Sequence, residues 1–150
     1  MGQSLVRNPV HIIFSTKNRE HIITEDIQSN LYAYLGAMCM DNECPPIEIG
    51  GWTDHVHILC LLSKKVAMMN LVEEVKAHSS KWMKTMGVKF ENFYWQDGYA
   101  GFGVSPREIT DVSHYIVNQK SHHEELFFMD EVRGLYILND LKFDERYCWD

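Results

Sequence analysis

Residues 54–62, DHVHILCLL, restrict the fold more than any other part of the chain, because a short and largely apolar run of this kind is typical of a buried β-strand. Alternate residues of a strand point to the same face of the sheet, so His55 and His57 should project together. Two imidazoles side by side on one strand are half of a metal site. They are also compatible with two core histidines that each make a hydrogen bond, and the pair alone leaves both alternatives open.

The segment before the histidine strand fixes how that strand pairs. Residues 47–52 have the pattern of a strand, and only Thr53 and Asp54 follow before the histidines, which is too short for a parallel crossover. The two strands are therefore predicted to be antiparallel, with Gly50 and Gly51 making a bulge or bend. The other predicted elements are a strand at 9–17, a helix opened by Thr24 and closed at 41–42, a helix at 66–86, an interrupted strand or short hairpin at 92–104, a helix from Ser105 to about Ser121, and an amphipathic piece at 124–129 that leads into a mixed acidic tail.

The order of these elements is β-α-β-β-α-β followed by a helix. This order predicts an α+β, ferredoxin-like (split β-α-β) fold, in which two helices cover one face of an antiparallel sheet and leave the other face open. RNA-recognition modules bind single-stranded nucleic acid on such a face. At 150 residues the chain is expected to form one domain, 1–150.

Composition limits the setting and the partners of the chain. No apolar run is long enough to span a membrane, and the four cysteines form no C-x-x-C pair, so we expect a reduced, cytoplasmic protein without membrane association. The net charge of −7 argues against a protein that coats nucleic acid nonspecifically. The first 121 residues nevertheless hold thirteen acidic and eleven basic residues, a balance that permits a local DNA-binding surface.

The third predicted helix carries polar groups that suggest chemistry. Tyr115 and Gln119 are four residues apart and share one helix face, and His122 continues the same stripe. A tyrosine can act as a nucleophile towards phosphorus, and a divalent ion held by imidazole and amide ligands can polarise the phosphate. For an arbitrary helix, the simpler expectation is that the tyrosine packs and the amide is solvated.

Several segments together raise the odds of the chemical interpretation. His55-Val56-His57, with Tyr115 to Gln119 (YIVNQ) downstream, resembles the HUH single-tyrosine transposases of small insertion sequences and the related REP-associated tyrosine transposases. The resemblance extends over essentially the whole chain. It also includes residues 11–19 (HIIFSTKNR), 76–82 (KAHSSKW), 95–99 (WQDGY) with Phe102 and 104–105, and 118–119 with His122-His123.

The resemblance implies a mechanism and a set of site residues. Tyr115 would attack a scissile phosphate of single-stranded DNA, giving a 5′-phosphotyrosine and a free 3′-hydroxyl. His55, His57 and Gln119 would bind Mg²⁺ or Mn²⁺. The family also implies recognition of DNA hairpins and a homodimer. The glycine-containing entry to the tyrosine helix would let it dock on its own sheet or on a partner's, and the resemblance favours the partner's, with the apolar stripe buried there. The residues expected to contact DNA phosphates are Lys17, Arg19, Lys76 and Lys81.

Two other functions remain open at this point. The same fold could grip DNA or RNA hairpins without turnover, as a catalytically silent or domesticated copy. Alternatively, a metal-dependent phosphoesterase could use water as its nucleophile, with Tyr115 purely structural. Because Tyr115, both histidines and Gln119 are all present, the sequence favours the transposase.

Overall fold

The computed structural model describes residues 2–123 and 126–150 and shows a four-stranded antiparallel sheet with the strand order β2-β3-β1-β4. This arrangement confirms the predicted α+β fold with its split β-α-β order. The elements are β1 Pro9–Ser15, α1 Glu25–Asp41, β2 Pro46–Gly51, β3 His55–Leu61, α2 Met68–Lys84, β4 Ala100–Gly103, α3 Ile109–Val117, α4 Gln119–His123 and α5 Phe128–Leu138, with short 3₁₀ turns at Lys17–Arg19 and Val88–Phe90.

Helices α1 and α2 cover one face of the sheet and form the main core with it. Alternate residues of the two central strands, such as Ile12 and Ile58, point into this layer. Leu31 and Leu35 of α1 and Val75 of α2 meet them and are almost completely buried. Each such side chain contributes roughly 1.5–3 kcal/mol of burial free energy, so this layer anchors the central strands from which the histidines project.

The opposite face of the sheet is covered, which corrects the expectation of an open face. Helix α5 places Phe128, Val132 and Tyr136 on Ile13 and Phe102 of the sheet. The sequence analysis interpreted most of this segment as an acidic tail, yet three of its buried apolar residues recur every four positions, as on one face of an amphipathic helix. The predicted piece at 124–129 is described only from residue 126 onwards, since Glu124 and Glu125 lie outside the described residues.

The tyrosine helix docks on the sheet of its own chain. Ile116 packs with Leu59 and Val104, and Ile109 and Val112 lie partly buried beside them. The apolar stripe is therefore covered within one chain, and the argument that it needs a partner's sheet does not apply to this arrangement. The helix begins at Ile109, later than predicted, because residues 105–108 form a turn. It is interrupted at Asn118, after which α4 begins.

Gly50 allows the tyrosine helix to approach the sheet this closely. It pairs with His57 in a regular part of the ladder, and a methyl group at this position would lie 2.9 Å from both Cγ2 and the backbone oxygen of Ile116. The predicted bulge at Gly50 and Gly51 is wrong, because the irregularity lies between Pro46 and Glu48. Instead of bending the strand, the glycine removes the side chain that would keep α3 away from His57.

Trp149 and Asp150 are held by the turn that follows β1 and by the segment that precedes β4. The backbone N–H of Gly98 donates to the carbonyl oxygen of Asp150 at 2.7 Å, and the Arg19 guanidinium donates to that of Trp149 at 3.2 Å. Trp95 forms an isolated antiparallel bridge with Thr16 before the chain enters β4, so the predicted interrupted strand pairs in two short pieces.

Within the described residues, every helix is too short or too polar to cross a membrane.

Candidate active site

Six polar side chains from five elements converge beneath α3 and α5, on the sheet face opposite α1 and α2. His55 and His57 project there together from β3, as the strand alternation predicted, and both are completely buried. The side chains that meet are His11 of β1, His55 and His57 of β3, Tyr115 of α3, Gln119 of α4 and Glu131 of α5.

Glu131 lies at the centre of this cluster. Its Oε1 atom is 3.3 Å from Nε2 of His55, 3.3 Å from Nε2 of His57 and 3.1 Å from Nε2 of His123. Its Oε2 atom accepts a 3.0 Å hydrogen bond from the amide of Gln119. One carboxylate thus faces both histidines of β3, and the three ligating atoms of His55, His57 and Glu131 lie within 4.8 Å of one another.

The donor set fits a divalent ion. The Nε2 atom of His57 is buried without a hydrogen-bond partner among the described residues, because its 3.3 Å approach to Glu131 lacks hydrogen-bond geometry. A nitrogen left in this state is costly unless a cation or proton uses its lone pair. Two imidazoles and a carboxylate are ligands typical of divalent transition metals and Mn²⁺, and the carboxylate supplies the negative charge that His55, His57 and Gln119 lack.

Gln119 reaches the cluster from α4, and its amide is engaged on both sides. Its Oε1 atom lies 2.9 Å from Nε2 of His55, while its Nε2 atom donates to Glu131. It is almost completely buried. The interruption between α3 and α4 lets Gln119 follow Tyr115 into the site while His123 reaches Glu131 from the next turn.

Each histidine of β3 is oriented by a second residue behind it. Nδ1 of His55 lies 2.7 Å from Oδ1 of Asp54, and Nδ1 of His57 lies 2.8 Å from Nε2 of His11. If each Nδ1 carries a hydrogen, Nε2 of His57 presents a lone pair towards Glu131, and Nε2 of His55 does so once it gives up the hydrogen that faces Gln119. That tautomer is the one that metal-binding histidines use, with a carboxylate or another acceptor behind the ring.

The electrostatics of the buried groups follow from these contacts. Burial alone would lower the pKa of His55, but Asp54 and Glu131 outweigh it and raise that pKa to about 9. Burial lowers the pKa of His57 to about 4 and that of His11 to about 3, so both rings are neutral at pH 7. Burial opposes the charge of Glu131, yet the hydrogen bond from His123 and the close approach of the two β3 histidines hold its pKa far below the usual range.

Tyr115 points into the same cluster. Its hydroxyl donates a short hydrogen bond to Oε2 of Glu131, and its ring lies 5.7 Å from that of His57 and 6.3 Å from that of His11. Burial raises the pKa of Tyr115, and the neighbouring carboxylate raises it further. The phenol is therefore held protonated, with its oxygen directed at the atoms that could bind an ion.

The four residues predicted to contact DNA fall into different surroundings. Lys17 is exposed and lies 3.9 Å from Asp97, and Arg19 holds the backbone of Trp149. Lys81 is exposed on α2, across the sheet from Tyr115. The Lys76 ammonium donates to the carbonyl oxygens of Gln96, Asp97 and Gly98 at 2.6–3.2 Å, so its donors are used within the chain. The structure gives Lys76 a role in holding residues 96–98.

Sequence reasoning missed four residues of the site, namely His11, Asp54, His123 and Glu131. His11 had a usable signal, since strand alternation puts it on the face opposite Val10 and Ile12 and therefore on the face of His57. Glu131 had a weaker signal, since it is one of two adjacent acidic residues in a segment with the apolar periodicity of an amphipathic helix.

The comparisons with known proteins agree on one family. The sequence matches the family model "Transposase IS200 like" over residues 5–119, which is most of the chain. The chain therefore belongs to the IS200-like transposases, a family of tyrosine transposases, which are DNA strand transferases. The matched stretch ends at Gln119, so Glu131 and the rest of α5 lie beyond it.

Two solved structures share the fold. One, described as a candidate transposase from Deinococcus radiodurans R1, has a TM-score of 0.62 at 20% identity and covers 79% of this chain and 96% of that one. The other, a REP-associated tyrosine transposase bound to a REP hairpin, has a TM-score of 0.60 at 14% identity and covers 100% of this chain and 96% of that one. A search of curated proteins returns no match.

Proposed function

We propose that this transposase cleaves and rejoins single-stranded DNA through a covalent bond between Tyr115 and a 5′-phosphate. The observation that carries the proposal is the convergence of the Tyr115 hydroxyl, the Nε2 atoms of His55 and His57 and the carboxylate of Glu131 in one buried cluster. A nucleophile for phosphorus and a set of metal ligands are thereby brought together from separate elements.

The metal would be Mg²⁺ or Mn²⁺, held by Nε2 of His55, Nε2 of His57 and Oε1 of Glu131. The amide oxygen of Gln119, 2.9 Å from Nε2 of His55, is a fourth donor at the same place. When bound, such an ion polarises a phosphate and neutralises charge on its oxygens. Asp54 and His11 keep the two imidazoles in the tautomer that binding needs.

The reaction balances with the chain's own groups and one proton from solvent. The Tyr115 oxygen forms a bond to phosphorus, and the bond between phosphorus and the 3′-oxygen breaks, leaving a 3′-hydroxyl after that oxygen takes up the solvent proton. The tyrosine proton leaves towards Oε2 of Glu131, the acceptor that it already contacts. Attack by a 3′-hydroxyl on the phosphotyrosine reverses these steps and joins strands, so no nucleotide cofactor is needed.

A covalent protein–DNA adduct is the direct test. Labelled oligonucleotides from the regions that flank the native gene, including their hairpins, are incubated with Mg²⁺ or Mn²⁺ and resolved on a denaturing gel. We expect a slower band for the wild-type protein, no band for Tyr115→Phe and little for His57→Ala. Tyr34→Phe, at a tyrosine of α1 on the opposite side of the sheet, is the matched control and should retain the band.

A hairpin-binding protein without turnover is the second candidate. It is favoured by the raised pKa of Tyr115, which keeps the phenol protonated in this arrangement. Tight hairpin binding without an adduct under any metal condition would select this candidate. Hydrolysis without an adduct would select the phosphoesterase.

We further propose that Tyr115 serves the histidines of its own chain. Gly50 and the apolar stripe of α3 both fit the helix to its own sheet. A homodimer with exchanged tyrosine helices is the competing arrangement. Mixing Tyr115→Phe chains with His57→Ala chains distinguishes them, because a heterodimer regains one intact site only if helices are exchanged. Differently tagged chains that purify together must first show that heterodimers form.

DNA contacts are proposed at Lys17 and Arg19, which directly follow β1. They lie on the side of the sheet where Trp149 packs on Phe128. Phe128 in turn contacts His55 of the candidate active site. Lys81 and Lys76 of α2 are the other predicted contacts. Lys81 is exposed, whereas the Lys76 donors are used within the chain, so Lys76 would contribute only its positive charge. Hairpins are the proposed substrate feature. Removing phosphate contacts should reduce the salt dependence of binding.

A further inference from the structure

We propose that an aromatic cleft beside the C-terminal segment binds an unpaired nucleobase of the DNA strand that Tyr115 cleaves, an inference that rests on the proposed function. The cleft has a volume of about 350 Å³, within the range of small-molecule sites. It lies between residues 98–99 and residues 141–148. Its aromatic lining consists of Tyr99, Tyr136, Phe143 and Tyr147, and Lys142 and Asp144 stand at its rim.

Two of these rings are exposed to solvent. Tyr147 is 67% exposed and Tyr99 is 36% exposed, whereas Tyr136 and Phe143 pack against each other with ring centroids 5.0 Å apart. Exposed aromatic rings above a packed floor are the stacking platforms that proteins use for bases of single-stranded nucleic acid. Every base has a flat face, so such a platform needs no particular base.

The wall that carries Tyr147 is held in place before any ligand arrives. The Arg146 guanidinium lies 5.2 Å from the Tyr147 ring and donates to Asp144 at 2.7 Å. Glu145 accepts two hydrogen bonds from Arg133 at 2.7 and 2.9 Å and one from Trp149 at 2.9 Å. A preformed wall lowers the ordering cost of binding, which favours a ligand as small as one base.

Lys142 gives the cleft one cation that a nucleotide phosphate could pair with, beside the carboxylate of Asp144. Residues 122–150 are strongly acidic and contain three basic residues. Two of these three are beside the cleft, with Lys142 lining it and Arg146 against Tyr147. A base stacked on Tyr147 would bring its phosphate to the Lys142 ammonium.

The cleft lies on the same side of the sheet as the candidate active site. The ring centroid of its inner residue Tyr136 lies 6.1 Å from that of Phe102, and the Phe102 centroid lies 6.1 Å from that of His11. His11 contacts His57. This row of rings joins the cleft to the candidate metal ligands over a distance that a strand of a few nucleotides covers. A base held in the cleft would position the scissile phosphate at Tyr115.

The test compares Tyr147→Ala with Tyr147→Phe. The probes are a hairpin oligonucleotide with a single-stranded flank that contains 2-aminopurine, and the same hairpin without the flank. Replacing an aromatic residue that stacks on one base by alanine typically lowers the affinity for the nucleic acid about 5- to 150-fold. We expect Tyr147→Ala to lose affinity of this size for the flanked hairpin only and to lose the quenching of 2-aminopurine, while Tyr147→Phe retains both.

Tyr94→Ala is the matched control, since Tyr94 is 60% exposed and lies against Lys84 of α2, outside the cleft. Equal affinity and quenching in Tyr147→Ala and wild type would overturn the proposal, as would a wild-type protein that gains nothing from the flank. If the protein forms an adduct at Tyr115 but Tyr147→Ala has no effect, the base-binding proposal fails and the proposed function stands. If binding of the flank depends on Tyr147 but no adduct forms, base binding in the cleft is supported and cleavage through Tyr115 is rejected.

Discussion

Replacing His11 by phenylalanine should weaken metal binding without disturbing the fold. The phenyl ring keeps the volume that packs near Phe102 and Tyr115, but it removes the nitrogen that lies 2.8 Å from Nδ1 of His57. With an ion on Nε2, the buried Nδ1–H of His57 would then lack an acceptor. Without the ion, the ring can move its hydrogen to Nε2 and avoid most of this cost.

The size of the loss in ion affinity follows from the cost of the unpaired Nδ1–H of His57, which applies mainly to the ion-bound state. An unpartnered buried donor costs about 1–3 kcal/mol, which corresponds to a loss of roughly 5- to 150-fold in ion affinity. The usual effect of removing a residue that orients a metal ligand is about 10- to 100-fold, which agrees. His11→Gln retains an acceptor oxygen and should recover a good part of the loss.

Mn²⁺ binding to the protein without DNA measures this prediction, by calorimetry or by the electron paramagnetic resonance signal of free Mn²⁺. His78→Phe is the control, because His78 is an exposed histidine of α2 paired with Glu74, and it should bind Mn²⁺ like the wild type. A folded His11→Phe protein with unchanged Mn²⁺ affinity would refute the orienting role of His11.

Three further predictions concern the ligand set, the helix position and the DNA surface. Glu131→Gln leaves only neutral donors and should lower Mn²⁺ affinity by about tenfold or more while near-ultraviolet circular dichroism stays unchanged; wild-type affinity would exclude Glu131 as a ligand. Gly50→Ala should push Ile116 outwards and slow adduct formation by roughly 10²-fold for a shift of about 1 Å, so an unaltered rate would mean that α3 docks elsewhere. Replacing Lys17 and Arg19 by alanine should flatten the slope of log affinity against log salt by about 1.4 to 1.8 units, and an unchanged slope would place the DNA on another surface.

The sequence was sufficient for the sheet and for the central histidine pair. Alternation along β3 determines that His55 and His57 share a face, and the two-residue connection from β2 determines antiparallel pairing, whatever packs above them. Both conclusions depend on neighbours in the chain, which is why they could be drawn without coordinates.

Contacts between distant segments could not be predicted in the same way. Glu131 is 74 residues beyond His57 in the numbering, and its helix was hidden by an acidic composition that resembles a solvated tail. Gly50 was interpreted through its backbone freedom, but its role is the space it leaves for Ile116, which depends on where α3 docks. The free imidazole nitrogen of His57 is likewise visible only once α5 covers the sheet.

The central claim is that Tyr115 is the nucleophile, and the most direct measurement is to locate the covalent bond. The protein–DNA adduct is isolated, digested with nuclease and protease, and analysed by tandem mass spectrometry. We predict a nucleotide mass on the peptide that contains Tyr115, attached at that tyrosine, and no modified peptide from Tyr115→Phe. A nucleotide on another tyrosine, or an adduct that persists in Tyr115→Phe, would contradict the account.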